Sequence, residues 1–126
     1  MTGVDEASVT LTIPPDPAHV RLVRLVVASC ASDLGYSYEG VEDLRIAADE
    51  AANLAIGACQ EGGAVRIAIS SAGRAITVAM ECPTNDDASD FDPLAAQIVA
   101  ALTTSCEVVT VDGELRIIFR CPPASA

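Results

Sequence analysis

A chain of 126 residues fits one compact domain that buries roughly two-thirds of its unfolded surface, so a single domain over 1–126, with an ordered core at about 8–121, is expected. Hydrophobic residues make up 51% and charged residues 20%, near globular averages, which argues against intrinsic disorder. Seven basic residues against 18 acidic ones give a formal charge of −11, which repels phosphate backbones and argues against direct binding of DNA or RNA.

Ser8 to Ile13 alternates, with Val9, Leu11 and Ile13 on one face, as a half-buried strand does. Pro14 and Pro15 end it. Asp16 and Pro17 form an N-cap and first-turn pair, and Val20, Val23, Val27, Cys30 and Leu34 then recur at helical spacing up to Gly35. A second helix is predicted from Tyr38–Val41 to Gly57–Cys59. Its apolar stripe is Val41, Leu44, Ala48, Ala51, Ala52 and Ala55, with Glu42, Asp43 and Asp49 outside it. Val65 to Ser70 and Ala75 to Glu81 alternate around a turn at Ser71–Arg74 and read as a hairpin. Cys82 to Asp92 holds Pro83, Asn85, Asp86, Asp87 and Asp90, and reads as an exposed loop that includes Cys82. Pro93 opens a third helix containing Leu94, Ile98, Ala101 and Leu102. Cys106–Val111 and Glu114–Cys121 flank Asp112-Gly113, a strong hairpin signal, and Pro122–Ala126 reads as a frayed tail. The order β-α-α-β-β-α-β-β predicts an α+β fold: a two-layer sandwich with a mixed, mostly antiparallel sheet and its helices on one face.

All seven basic residues are arginines, so chemistry that needs a lysine is excluded, whether a phosphate-loop lysine or a Schiff base. The one histidine, His19, has no second histidine with which to form a metal site or a catalytic relay, and a surface or capping role is expected. No metal ligand set is read. Cys30, Cys59, Cys82, Cys106 and Cys121 form no CxxC pair, and the chain has no basic-then-apolar leader, which reads as a reduced, cytoplasmic protein. Cysteines at apolar-periodic positions behave as small hydrophobes, which weakens a redox-sensor reading. The apolar run Val20–Ser32 is too short to span a bilayer and is interrupted by Arg21 and Arg24, so no membrane contact is expected.

The stretch Leu44–Ile56, LRIAADEAANLAI, resembles the helix that carries the N box in the anti-sigma factor and serine-protein kinase family. This is the RsbW-type branch of the GHKL, or histidine kinase-like, ATPases. Arg24-Leu-Val-Val-Ala-Ser29 and the element order over roughly 8–121 extend the resemblance across nearly the whole chain. It implies the histidine kinase-like, Bergerat-type fold. It also implies a scaffold that sequesters a sigma factor and is released by a STAS-type anti-anti-sigma protein, with homodimerisation as a further possibility.

In relatives with kinase activity the N-box glutamate acts as base, and an asparagine four residues later holds Mg²⁺. Glu50 matches the glutamate, but Leu54 stands at the metal position and Asn53 is one place early, about 100° away around the helix. The family's Asp-x-Gly-x-Gly box corresponds to Met80–Asp86, and no glycine lies between Gly73 and Gly113. The resemblance therefore implies a degenerate kinase, with Glu50 vestigial, Asn53 the remaining cofactor-side residue, and no cofactor bound. ATP and Mg²⁺ are expected only if the family site is retained. Arg24 matches the arginine with which relatives contact partners, and Arg21, one turn earlier, shares its face. Two other readings stay open: an active serine-protein kinase using Glu50 and Asn53, and an unrelated protein-binding α+β module.

Overall fold

The computed structural model describes residues 8–85 and 90–122. Asp86, Asp87 and the tail beyond Pro122 lie outside the described residues. The elements follow in the expected order: β1 (Val9–Ile13), a 3₁₀ turn (Pro17–His19), α1 (Val20–Asp33), α2 (Tyr38–Ala58), β2 (Val65–Ala72), β3 (Ala75–Pro83), α3 (Pro93–Leu102), β4 (Ser105–Val111) and β5 (Glu114–Arg120).

The strands form one sheet in the order β1-β2-β3-β5-β4. Every described pair is antiparallel, so the sheet is not mixed. After β3 the chain passes through α3 to the far edge and returns as β5, which slots between β3 and β4. Asp112 (φ 53°) and Gly113 (φ 78°) both take the left-handed conformation, the geometry that a two-residue hairpin turn requires.

One face of the sheet is buried. Val65, Ile67 and Ile69 of β2, Ile76, Val78 and Met80 of β3, and Leu115, Ile117 and Phe119 of β5 are all nearly inaccessible. Against them lies α2, whose Ala47, Ala48, Ala51, Ala52 and Ala55 are at most 1% exposed. Alanines let the helix axis approach the strands closely, and Leu44 and Ile56 fill the space at its two ends. Ser37 starts α2 by accepting a hydrogen bond from Gly40 N at 3.1 Å. α1 packs on α2 through Val20, Val23, Val27 and Ala31.

Two sequence expectations change, and one question the sequence left open is answered. β3 continues through Cys82 to Pro83, so Cys82 is buried rather than part of an exposed loop. A proline is tolerated at a strand end, where its missing N–H breaks no ladder. Burial also pushes the Cys82 thiol up to about 12, which makes it unreactive. The third helix forms as expected, and the sequence left its buried face open: it is Ala95 and Val99, while Leu94 is exposed. Gln97 is the one polar side chain of this helix, so periodicity could not choose the face. In β1 only Ile13 is buried and Val9 is exposed, beside the end of α1 at Cys30 and Leu34. His19 precedes α1 as its N-cap and makes no side-chain capping bond.

Candidate functional site

Glu50, Asn53 and Leu54 sit in the second half of α2, away from its alanine face. Glu50 is half-buried and makes no hydrogen bond or ion pair among the described residues. Asn53 is exposed, whereas Leu54 is half-buried and packs on the core. The helix therefore presents a carboxylate and a neighbouring amide, but a hydrocarbon where an oxygen donor to Mg²⁺ would be needed. No group of three or more His, Cys, Asp or Glu side chains is placed to hold a metal among the described residues.

The end of β3, where a nucleotide-binding box would open, is instead tied to the end of α2. Thr84 is buried, and its hydroxyl donates to Ala58 O at 2.7 Å, satisfying one of the helix's last free carbonyls. Thr84 N donates to Gly113 O at 2.8 Å, and Gln60 N donates to Pro83 O at 2.8 Å. Cys82 Sγ lies 3.5 Å from Ala55 O. Gly63 fits so tightly in the following turn that a Cβ there would stand 2.7 Å from Pro83 Cγ. Glycines that would let backbone amides approach phosphates are absent from Arg74 to Asp112. Among the described residues, Leu54 and the tied-down end of β3 do not offer the donors that an ATP–Mg²⁺ complex needs.

The second candidate surface lies across α1 and α2. Arg24 Nε is 3.0 Å from Asp49 Oδ1. The two side chains are 39% and 32% exposed, but the contacting atoms are buried and not aligned as a hydrogen bond. Asp49, expected outside the apolar stripe, thus faces α1 at the helix boundary. Arg45 pairs with Glu42 one turn away. Arg21 is exposed and has no partner among the described residues. Arg21, Arg24 and Arg45 border a shallow groove of about 390 Å³ floored by Leu25, Ala28 and Val41. Three of the seven basic residues converge here, which makes the groove locally basic on an acidic protein. The structure brings Arg24 and Arg21 to one surface, and adds Asp49 and Arg45, which sequence reading missed. An acid beside the alanine stripe gave no sign that it faced another helix.

Asp49 holds its proton to higher pH than a free aspartate, because burial between the helices outweighs the attraction of Arg24 and Arg45. With the folded-state value raised, ionisation of Asp49 costs stability above that value, and its contribution improves as pH falls through it. Acidification should neutralise Asp49 ahead of exposed aspartates and release Arg24. A carbon-13 NMR titration of the Asp49 carboxyl checks this, and a midpoint at or below that of a free aspartate would contradict it.

The sequence pattern described as the histidine kinase-like ATPase domain matches residues 13–101, well over half of the chain. The chain belongs to the histidine kinase-like ATPase domain family. Among curated relatives, the serine-protein kinase RsbW of Bacillus velezensis is 42% identical over 55 residues, covering 44% of this chain and 33% of that protein. RsbW of Listeria monocytogenes is 49% identical over 43 residues, covering 34% and 27%. That of Bacillus subtilis is 38% identical over 48 residues, covering 38% and 30%. These matches span a third or less of the relatives' length. A crystal structure of the RsbU and RsbW domains of Rv1364c from Mycobacterium tuberculosis superposes with a TM-score of 0.70 at 13% identity, covering 94% of this chain and 33% of that one. This histidine kinase-like ATPase domain therefore shares its fold with an RsbW domain. No helix among its described residues is long and apolar enough to cross a membrane.

Proposed function

We propose that this domain is an anti-sigma factor: it sequesters a sigma factor by protein–protein binding and yields it to a STAS-type anti-anti-sigma protein without ATP hydrolysis. The observation that carries the reading is a retained scaffold and N-box helix with the metal position filled by Leu54 and the nucleotide box replaced by a strand end packed on α2. Phosphoryl transfer depends on positioning and on metal-neutralised charge, so a scaffold without that donor keeps binding as its function. The α1/α2 groove supplies the contact surface, with Arg24 and Arg21 as the partner-facing charges. The wider acidic surface favours a partner with exposed basic residues, because complementary charge raises association rates.

Arg24 already has an intramolecular acid, so a partner carboxylate must share it or displace Asp49. Arg24→Ala should weaken sigma-factor binding by about 1–3 kcal/mol, the cost of losing a charge-assisted contact. The test is calorimetric titration of the wild type and the variant with a sigma factor that copurifies from the native cytoplasm. An unchanged dissociation constant would remove Arg24 from the interface, and failure to retain any sigma factor would overturn the function. A second reading, an active serine-protein kinase, is favoured by the unpaired Glu50 with Asn53 beside it and by the likeness to serine-protein kinases of the RsbW type.

A further inference from the structure

Two of the five cysteines meet across the junction of α2 and β3. Cys59 follows the last residue of α2 and pairs with Thr84 as an isolated antiparallel bridge. Thr84 and Cys82 stand two apart on one extended stretch and are both buried, so Cys82 lies on the side of that bridge to which Cys59 points. The two cysteines share an anchor: Ala55 O accepts from Cys59 N at 2.9 Å and lies 3.5 Å from Cys82 Sγ. Cys59 Sγ reaches toward β3 as well, since a Cβ built on Gly63 would stand 3.1 Å from it and 2.7 Å from Pro83 Cγ. The two thiols are hydrogen-bonded, and burial followed by this neighbour accounts for the raised proton affinity of Cys82.

The pair is unequal in access. Cys59 is half-buried and Cys82 is inaccessible, so a small oxidant from solvent meets Cys59 first. The other cysteines offer a control. Cys106 on β4 and Cys121 just past β5 are diagonal neighbours, but their thiols are perturbed by burial and by acids, not by each other.

We propose that Cys59 and Cys82 are an oxidisable dithiol that a peroxide closes into an intramolecular disulfide, stapling the end of α2 to β3. In the first step the Cys59 sulfur attacks a peroxide oxygen, the O–O bond breaks, and the departing hydroxide takes the Cys59 proton as water, leaving a sulfenic acid. In the second, the Cys82 sulfur attacks the Cys59 sulfur, the S–O bond breaks, and the departing hydroxide takes the Cys82 proton as water. Two thiols are oxidised and one hydrogen peroxide is reduced to two waters. Burial keeps Cys82 from meeting peroxide itself, but the second step is intramolecular and joins groups already in contact. The staple fixes the same strand end that Thr84 and Gln60 tie to α2, and it does not depend on which partner the α1 arginines contact.

The test treats the whole reduced chain with hydrogen peroxide, removes the excess with catalase, alkylates with iodoacetamide in urea and reads the intact mass. Two of the five thiols should resist alkylation until dithiothreitol is added, and an arginine-specific digest should link peptide 46–66 to peptide 75–116. Cys59→Ser and Cys82→Ala should each abolish the protected pair, whereas Cys106→Ser should keep it. Thermal melts establish that each variant is folded, and Cys59→Ala replaces the serine variant if that one fails. The oxidised wild type should unfold at a urea concentration about 1 M above that of the reduced chain, a shift that Cys59→Ser removes. A protected pair that survives Cys59→Ser, sulfinic acid formed without any protected pair, cross-linked dimers in its place, or an unshifted urea midpoint would overturn the proposal.

Discussion

Phe119→Ala is expected to lower folding stability by about 3–5 kcal/mol, the usual cost of removing a buried aromatic ring from a core. Phe119 is inaccessible to solvent and stands in the central part of the sheet, opposite Val78 of β3 and Cys106 of β4. The cost should fall at the upper end because of what surrounds it. The chain has only two phenylalanines, two tyrosines and no tryptophan, and its helical layer is built from alanine and valine. Short, stiff side chains cannot swing into the space a phenyl ring leaves, so the cavity stays open. Urea unfolding with an unchanged slope measures the loss, and a change below about 1 kcal/mol would show that the core repacks.

The same composition explains what could be read from the sequence. Element order and type were legible because α2 carries a helical stripe of alanines and the apolar residues of β2 and β3 recur at every second position. The Asp112-Gly113 turn was legible because only a small set of residues accepts two successive left-handed conformations. Cys82 was misplaced because Pro83 next to it looks like a strand breaker, and only the packing of Thr84 on Ala58 shows why the strand continues. The buried face of α3 was illegible for a different reason: with Gln97 as its one polar side chain, no periodicity exists to read. Glu50, Asn53 and Leu54 could be placed on one helix from sequence, but the ion pair of Arg24 with Asp49 joins residues on separate helices that no local pattern connects. Long-range pairing of this kind appears only once the helices are packed.

Glu50→Gln separates the two functional readings by the largest factor available. In a kinase this carboxylate would act only in the transition state, accepting the proton of the attacking hydroxyl, so the variant would lose phosphotransfer while keeping partner affinity. In the anti-sigma reading there is no transfer to lose. Glu50 makes no hydrogen bond or ion pair among the described residues and Gln keeps its shape, so the replacement should leave partner affinity and folding stability within about 0.5 kcal/mol of wild type. Calorimetry should show ATP with Mg²⁺ binding more weakly than about 1 mM, under roughly 4 kcal/mol, since Leu54 offers no metal ligand and Thr84 is engaged with Ala58 where the box would open. The decisive assay incubates wild type and variant with the anti-anti-sigma protein, ATP and Mg²⁺, and then measures intact mass. One added phosphate with the wild type, lost with Glu50→Gln, would establish the kinase and place Asn53 near the metal despite its position one residue early. Unmodified protein in both reactions would support the anti-sigma reading, in which a sigma factor and its antagonist compete for one scaffold and release follows their relative affinities and concentrations rather than a covalent mark.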